Sequence, residues 1–358
     1  MEKKNIERLR KQIDKIDEDI LKLLNKRAQI AMKIGDIKSK DALYFWDPQR
    51  EKEIFDRLVE LNQGPFPHQT LFNIYHEIIA ATRQLQQPAS VTFLGPEATF
   101  SHMAAVKQFG KTAHFSHAPT IKDVFLEVDK GRCNYGVVPV ENSVEGIVAY
   151  TLDMFFQSEL KVCSEVYIRI SHFLASATGE KEKIERIYAH PQAEAQCRNF
   201  LKSNFPQIPI YEVRSSAEAA MKAQKEKNAA AITTELAIEH YKLKFVDQYI
   251  EDFANNTTRF WVIGQQLPPS TGADKTSILF STPDVPGALY QALKPFAERQ
   301  INLTKLESRP MKNLPWHYLF FVDLDGHYTD ERVKTALEDL KHQCAYFKLL
   351  GSYPKAKC

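Results

Sequence analysis

The first forty residues fix the architecture of the N-terminal third. Ile6, Leu9, Ile13, Ile16, Ile20, Leu23, Leu24, Ile30 and Ile34 recur at the three/four spacing of one long amphipathic helix. Arg27 falls where that stripe expects another leucine, and Arg10 and Lys38 lie on its edge. A cation on a packing face is costly unless an anion meets it. The ordinary reading of any one of them is a stem that snorkels to water, but three on one face make a candidate anion site. At about 1.5 Å of rise per residue, Arg10 and Arg27 stand roughly 25 Å apart. One small ligand therefore reaches both only if an antiparallel second copy brings its own Arg10 alongside. A helix this long overhangs any small domain, which points the same way.

The chain has 358 residues, enough for two or three domains, and a formal net charge of +2, which gives no bulk field for nucleic acid. Its early lysines and arginines are interleaved with acids, the pattern of a solvated helix face. The five cysteines (133, 163, 197, 344 and 358) show no C-x-x-C or Cys/His metal spacing and read as free thiols. No signal peptide and no long uncharged apolar run appears, so a cytoplasmic protein without nucleic-acid or membrane partners is expected.

Three blocks follow from the punctuation. Residues 1–88 read as all helix, with breaks before Asp47-Pro48 and at Gly64-Pro65-Phe66-Pro67. Residues 89–268 alternate short apolar strands with helices, with strands expected at 91–94, 135–140, 166–175, 187–189, 229–232 and 259–264. This is the pattern of a two-lobed α/β domain whose ligand sits in the interlobe cleft. After Pro268-Pro269-Ser270-Thr271-Gly272, residues 273–358 read βαββαβ, an α+β ferredoxin-like order whose third strand is expected at 317–324. No dinucleotide fingerprint, Walker loop, nucleophile elbow or zinc signature is present.

The polar residues on the helical packing faces are Arg10, Arg27, Lys38, Asp47, Arg50, Glu51, Thr82 and Gln86. They suit a dianion with hydroxyl or ether oxygens and offer electrostatic positioning, without a nucleophile and its base. Read singly, Asp47 is as well explained as a helix cap. Through Leu9-Arg10, Asp17…Leu24…Arg27, Gly35…Lys38, Asp47…Arg50-Glu51 and Ile78-Ile79…Gln86, the block resembles the all-helical chorismate mutase family. The resemblance implies a pericyclic rearrangement of chorismate to prephenate without a covalent catalyst. Arg10 of a partner chain and Arg27 would hold the carboxylates. Lys38 and Gln86 would meet the ether oxygen, and Glu51 and Asp47 the ring hydroxyl. Thr82 stands where many members have serine.

The second block carries Gly95-Pro96-Glu97-Ala98-Thr99-Phe100-Ser101, Pro139-Val140-Glu141-Asn142-Ser143-Val144-Glu145-Gly146, His190-Pro191-Gln192 and Asn255-Asn256-Thr257-Thr258-Arg259-Phe260. Each could be a capping or turn device; together they resemble prephenate dehydratase, with Ala98 where the first-loop pattern has glycine. By that resemblance Thr258 acts on the leaving hydroxyl of prephenate and Arg259 binds a carboxylate. Thr99, Ser101, Asn142, Ser143 and Gln192 would line the cleft, with Glu141 and Phe260 in the same substrate-contacting set. Thr258 is a weak acid by itself, and Glu141 is the nearest carboxyl in sequence.

The third block carries Gly287-Ala288-Leu289-Tyr290, Asn302-Leu303 and Glu307-Ser308-Arg309-Pro310. It resembles the ACT regulatory domain, which implies L-phenylalanine as an inhibitor held by those residues, with Tyr290 replacing the usual aliphatic side chain. In order, the three blocks resemble the bifunctional chorismate mutase–prephenate dehydratase family. That implies two consecutive reactions, no metal or organic cofactor, and a homo-oligomer: a dimer through the first helix, with a tetramer left open. Three rivals remain at this stage: a ligand sensor, a helical block reduced to a dimerisation arm, and arogenate in place of prephenate.

Overall fold

A computed structural model describes residues 2–40, 46–310 and 318–356, with the backbone alone at Glu2, Ser39 and Lys40. Cys358 and the His317 start of an expected strand lie outside the described residues. The chain divides into two compact units: residues 1–89 with 109–114, and the remainder.

The first unit is helical: α1 (Glu2–Lys40), α2 (Pro48–Leu61) and α3 (His68–Gln86). Asp47 caps α2 by accepting the Arg50 amide at 3.0 Å, with Pro48 in its first turn. Helix α1 packs on α3 with no room to spare at Gly35, where a Cβ would stand 2.8 Å from Gln86 Cβ. Phe55 of α2 meets Phe72 of α3 at 4.4 Å between ring centroids. Among the described residues of α1, only Ala31 and Gly35 are buried. Ile13, Ile16 and Ile20 of the expected apolar stripe are each about half exposed.

The second unit opens with β1 (Ser90–Leu94), α4 (Phe100–Phe109), β2 (His114–Ala118), α5 (Ile121–Asp129), β3 (Tyr135–Asn142), β4 (Gly146–Ile147), α6 (Ala149–Gln157) and β5 (Lys161–Arg169). A second lobe follows: β6 (Phe173–Ser176), β7 (Arg186–Ala189), α7 (Pro191–Gln196), α8 (Arg198–Asn204), β8 (Ile210–Glu212), α9 (Ser216–Lys225), β9 (Ala229–Thr233), α10 (Glu235–Tyr241) and β10 (Lys244–Gln248). The chain then returns to the first lobe as β11 (Thr257–Gly264). The third block contributes β12 (Asp274–Ser281), α11 (Ala288–Glu298), β13 (Leu303–Pro310), β14 (Tyr318–Asp325), α12 (Glu331–Gln343) and β15 (Tyr346–Pro354). The expected strand 166–175 is two strands in different sheets: the chain leaves β5 after Arg169 and enters the second lobe at Phe173.

The second lobe is built on a five-stranded sheet ordered β10-β6-β9-β7-β8. The first lobe and the third block share one ten-stranded sheet, β13-β14-β12-β15-β5-β11-β3-β1-β2, with β4 paired to β3. Their seam is a single parallel pairing, Gly351 with Val162. Glycine is required there, since a Cβ on Gly351 would lie 2.3 Å from the Val162 carbonyl oxygen. One apolar core spans the seam: Phe125, Phe155 and Trp261 pack in the same cluster as Leu279, Phe321 and Tyr353.

Candidate active sites

In the helical unit, Arg27 Nη1 donates to Thr82 Oγ1 at 2.8 Å, and the Thr82 hydroxyl donates in turn to the carbonyls of Ile78 and Ile79. Burial draws the Arg27 pKa below its ordinary value, and Tyr75 partly offsets this. Lys38 is half-buried one turn beyond Gly35, on the stretch of α1 that meets Gln86. Arg27, Thr82, Lys38 and Gln86 thus share the α1–α3 seam. Glu51 is held by Arg83 at 2.9 Å, a partner that the sequence reading missed. The remaining members stand apart. Arg50 is exposed and pairs with Glu53 at 3.0 Å, the Asp47 carboxylate serves as the α2 cap, and Arg10 is exposed on α1.

In the two-lobed region, strand register sorts the motif residues. Thr258 lies opposite Asn142, and Arg259 opposite Glu141. Successive residues of a strand point to opposite faces, so each motif is split between two surfaces. On the first face, Asn142 Nδ2 donates to Thr258 Oγ1 at 2.9 Å and to Asn256 Oδ1 at 2.7 Å. Asn142 Oδ1 accepts the backbone amides of Val144 and Glu145. These four bonds use the whole side-chain amide and fix its orientation. Thr258 Oγ is therefore an acceptor toward Asn142, and its own proton points elsewhere. Ser143 braces the same turn, accepting the Thr257 amide at 2.9 Å and donating to the Asn255 carbonyl at 3.2 Å.

The opposite face bears no cleft chemistry. Arg259, expected to grip a substrate carboxylate, is 5 % exposed and spends its donors on protein. Nε bonds Glu165 at 2.8 Å, Nη1 bonds Asp323 at 2.5 Å and Nη2 bonds the Tyr353 hydroxyl at 2.9 Å. Burial opposes its charge, but Tyr353, Asp323 and Glu165 outweigh that and hold its pKa above the ordinary value. Glu141 faces the same way and is paired with Lys305 at 2.7 Å. Phe260 is a core side chain, 2 % exposed, and packs rather than contacts a ligand.

The other expected cleft residues scatter. Thr99 donates to the Pro96 carbonyl at 3.0 Å in the loop before α4. Ser101 is buried on the first turn of α4, and Gln192 is exposed at the start of α7. In the same loop Ala98 has φ +62°, the left-handed region that glycine occupies most easily. Its carbonyl accepts Thr234 Oγ1 of the second lobe at 2.8 Å. A second tie between lobes was not foreseen: Gln196 Nε2 donates to Glu145 at 3.0 Å, and Gln196 Oε1 meets His172 Nε2 at 2.8 Å. Because Gln196 Nε2 is the donor to Glu145, His172 carries its proton on Nε2 and leaves the buried Nδ1 without a partner among the described residues. Burial lowers the His172 pKa, against the Gln196 hydrogen bond.

In the third block, Gly287, Ala288, Leu289 and Tyr290 line a cavity of about 260 Å³ together with Tyr318 and Phe320 of β14. Gly287 opens α11 at φ +82°, as a left-handed residue should be glycine. The other expected effector contacts do not line that cavity. Asn302 donates weakly to Asp325 at 3.3 Å. Leu303 and Glu307-Ser308-Arg309-Pro310 lie on β13, the edge strand of the large sheet. Arg309 faces Asp153 of α6 at 3.8 Å. Among the described residues, no cluster of histidine, cysteine and carboxylate side chains could hold a metal, and no helix is long and apolar enough to cross a membrane.

Comparison with known proteins agrees with these three regions. Residues 9–87 match the family model for chorismate mutase type II, 91–267 that for prephenate dehydratase and 276–342 that for the ACT domain. The chain is 49% identical over 355 residues to the bifunctional chorismate mutase/prephenate dehydratase of Aquifex aeolicus, covering 98% of each. It is 42% identical to that of Stutzerimonas stutzeri, covering 97% of each. Among solved structures it is similar to the prephenate dehydratase of Arthrobacter aurescens in complex with L-Phe, at TM-score 0.69 and 36% identity over 75% of this chain and 90% of that one.

Proposed function

The chain belongs to the family of bifunctional chorismate mutase/prephenate dehydratases, and from that premise we propose how its residues divide the work. It carries both enzymatic activities and an ACT domain. The mutase turns chorismate into prephenate, and the dehydratase turns prephenate into phenylpyruvate.

In the mutase, Arg27 holds one carboxylate and Arg10 of a second copy the other. Lys38 and Gln86 meet the ether oxygen, where negative charge grows as the C–O bond breaks, so they bind the transition state more tightly than the ground state. Thr82 sets the Arg27 guanidinium, and Glu51, held by Arg83, orients the ring hydroxyl. Asp47 and Arg50 act as cap and surface charge. The half-exposed isoleucine stripe of α1 supports an antiparallel second copy as its cover and so a homodimer. A tetramer would form by pairing of the β13 edges.

In the dehydratase, the carboxylate leaves as carbon dioxide and its bonding pair enters the ring. Aromatisation then expels the ring hydroxyl, which must gain a proton to leave as water. Thr258 donates a hydrogen bond to that oxygen. The observation that carries this is the Asn142 clamp, which makes Thr258 Oγ an acceptor on one side and frees its proton for the other. Thr99, Ser101, Ser143 and Gln192 complete the cleft wall, and L-phenylalanine occupies the cavity at Gly287–Tyr290. The enzyme works in the cytoplasm.

The test is the full-length protein with chorismate alone, with and without L-phenylalanine. Phenylpyruvate appears and is suppressed by the amino acid. Prephenate accumulating instead would defeat the dehydratase assignment, and phenylpyruvate formed only from supplied prephenate would reduce the helical unit to an arm.

A further inference from the structure

The Thr258 side chain is set by the strand that carries it, and the next residue of that strand is held by the regulatory domain. Arg259 Nη2 donates to the Tyr353 hydroxyl at 2.9 Å. Ser277 Oγ donates to Asp323 Oδ1 at 2.5 Å, so at the 2.5 Å contact between Ser277 and Tyr353 the phenol is the donor. Asp323 Oδ2 accepts from Arg259 Nη1 at 2.5 Å. The four groups close a ring in which arginine is the double donor, to tyrosine and to aspartate, tyrosine donates to serine and serine to aspartate, and the carboxylate accepts at both ends. Tyr353 is fully buried, and burial followed by Asp323 holds its hydroxyl protonated, well above the usual phenol range. Ser277, Asp323 and Tyr353 come from β12, β14 and β15, three strands of the ACT domain. A second anchor stands beside the first, since Lys275 of β12 meets Glu165, the partner of Arg259 Nε, at 2.9 Å. The motif that reads in sequence as one catalytic signature is thus half catalytic and half anchor.

We propose that Arg259 is a positioning residue through which Asp323 and Tyr353 of the ACT domain set the placement of Thr258 for dehydration. The proposal rests on the assignment of Thr258 to the leaving hydroxyl. The same strand β14 that supplies Asp323 supplies Tyr318 and Phe320 to the effector cavity. Three residues of strand, about 10 Å, separate cavity from anchor. Displacement of a reacting group by about 1 Å costs on the order of 100-fold in rate, so loosening the anchor by a fraction of that is expected to be visible in turnover.

The experiment is steady-state dehydration of prephenate by the full-length enzyme carrying Tyr353→Phe, which keeps the ring in the core, or Asp323→Asn, with thermal unfolding followed in parallel and Thr258→Ala as reference. In each anchor variant that retains the wild-type unfolding midpoint within a few degrees, kcat falls about tenfold and KM stays within about twofold, because the lost contact acts in the transition state and not on the bound substrate. Chorismate turnover is unchanged. An unchanged kcat in Tyr353→Phe overturns the proposal. A raised KM at constant kcat also overturns it, since that is the signature of a lost substrate ligand. Thr258→Ala separates the two readings: if it keeps dehydratase activity, the assignment of Thr258 falls. If it is inactive while Tyr353→Phe is wild-type, only the positioning role falls.

Discussion

Arg27 and Thr258 are held in different ways. Arg27 is half-buried, donates to Thr82, and lies on a helix whose apolar residues are largely open to solvent. Thr258 is 9 % exposed and clamped by an asparagine whose every polar atom is used. On the proposed roles, the mutase site needs a second chain to finish it, whereas the dehydratase pocket is finished within one chain and braced from behind by another domain. A site that two copies must complete is sensitive to concentration; one that a second domain braces is sensitive to that domain's state.

The sharpest way to break this contrast is a crossed pair of variants. Arg27→Ala is expected to lower chorismate turnover by about two to three orders of magnitude and leave dehydration of supplied prephenate within about twofold, and Thr258→Ala to do the reverse. Assays of each step separately decide it. If either substitution silences both steps, the two sites are not independent. A smaller effect sharpens the role of the second copy. Ile13→Asp puts a charge in the apolar stripe of α1 and is expected to dissociate the proposed dimer, with about a tenfold or greater loss of mutase activity and dehydratase activity retained. Sedimentation alongside the two assays would check it, and a monomer with full mutase activity would refute the shared site.

The smallest effect concerns pH. The folded chain holds His172 neutral because burial lowers its pKa, with Glu251 opposing and His190 assisting. The unfolded chain protonates this histidine near pH 6.5. Below that pH the unfolded state binds the extra proton, so stability is full above about 6.5 and falls as pH drops, by at most about 1.4 kcal/mol per pH unit for one group. Thermal melts between pH 5 and 7.5 are expected to show this slope in the second unit and a shallower one in His172→Gln. Equal slopes would remove His172 from the account.

These contrasts also explain what could be read before the structure. The helices were legible because a 3.6-residue period survives in the sequence whether its partner is present or absent, as α1 demonstrates. The strands that escaped notice, β2, β4, β8 and β10, are sheet edges or two residues long. An edge strand such as His114–Ala118 has little of the double-sided apolar run that marks a central one. The crossing between lobes at Ile170–His172 has no glycine or proline to announce it. Within the site, Thr258 was legible as a motif residue, and the outward turn of Arg259 could have been inferred from strand alternation alone. Its partners Asp323 and Tyr353 could not, because nothing local marks two residues 64 and 94 positions away as neighbours.

The seam at Gly351 has a consequence for how such an enzyme can be altered. A regulatory domain joined by a tether could be cut away or exchanged as a cassette. Here excision after Gly272 would bare the edge of β5, open the shared core around Trp261 and Phe155, and strip Arg259 of its hydrogen bonds to Asp323 and Tyr353. The brake is part of the chassis. On the proposed effector site, release from feedback is therefore to be sought by reshaping the cavity at Gly287–Tyr290 one side chain at a time, with the ACT strands left in place to keep the first-lobe half of the sheet in register.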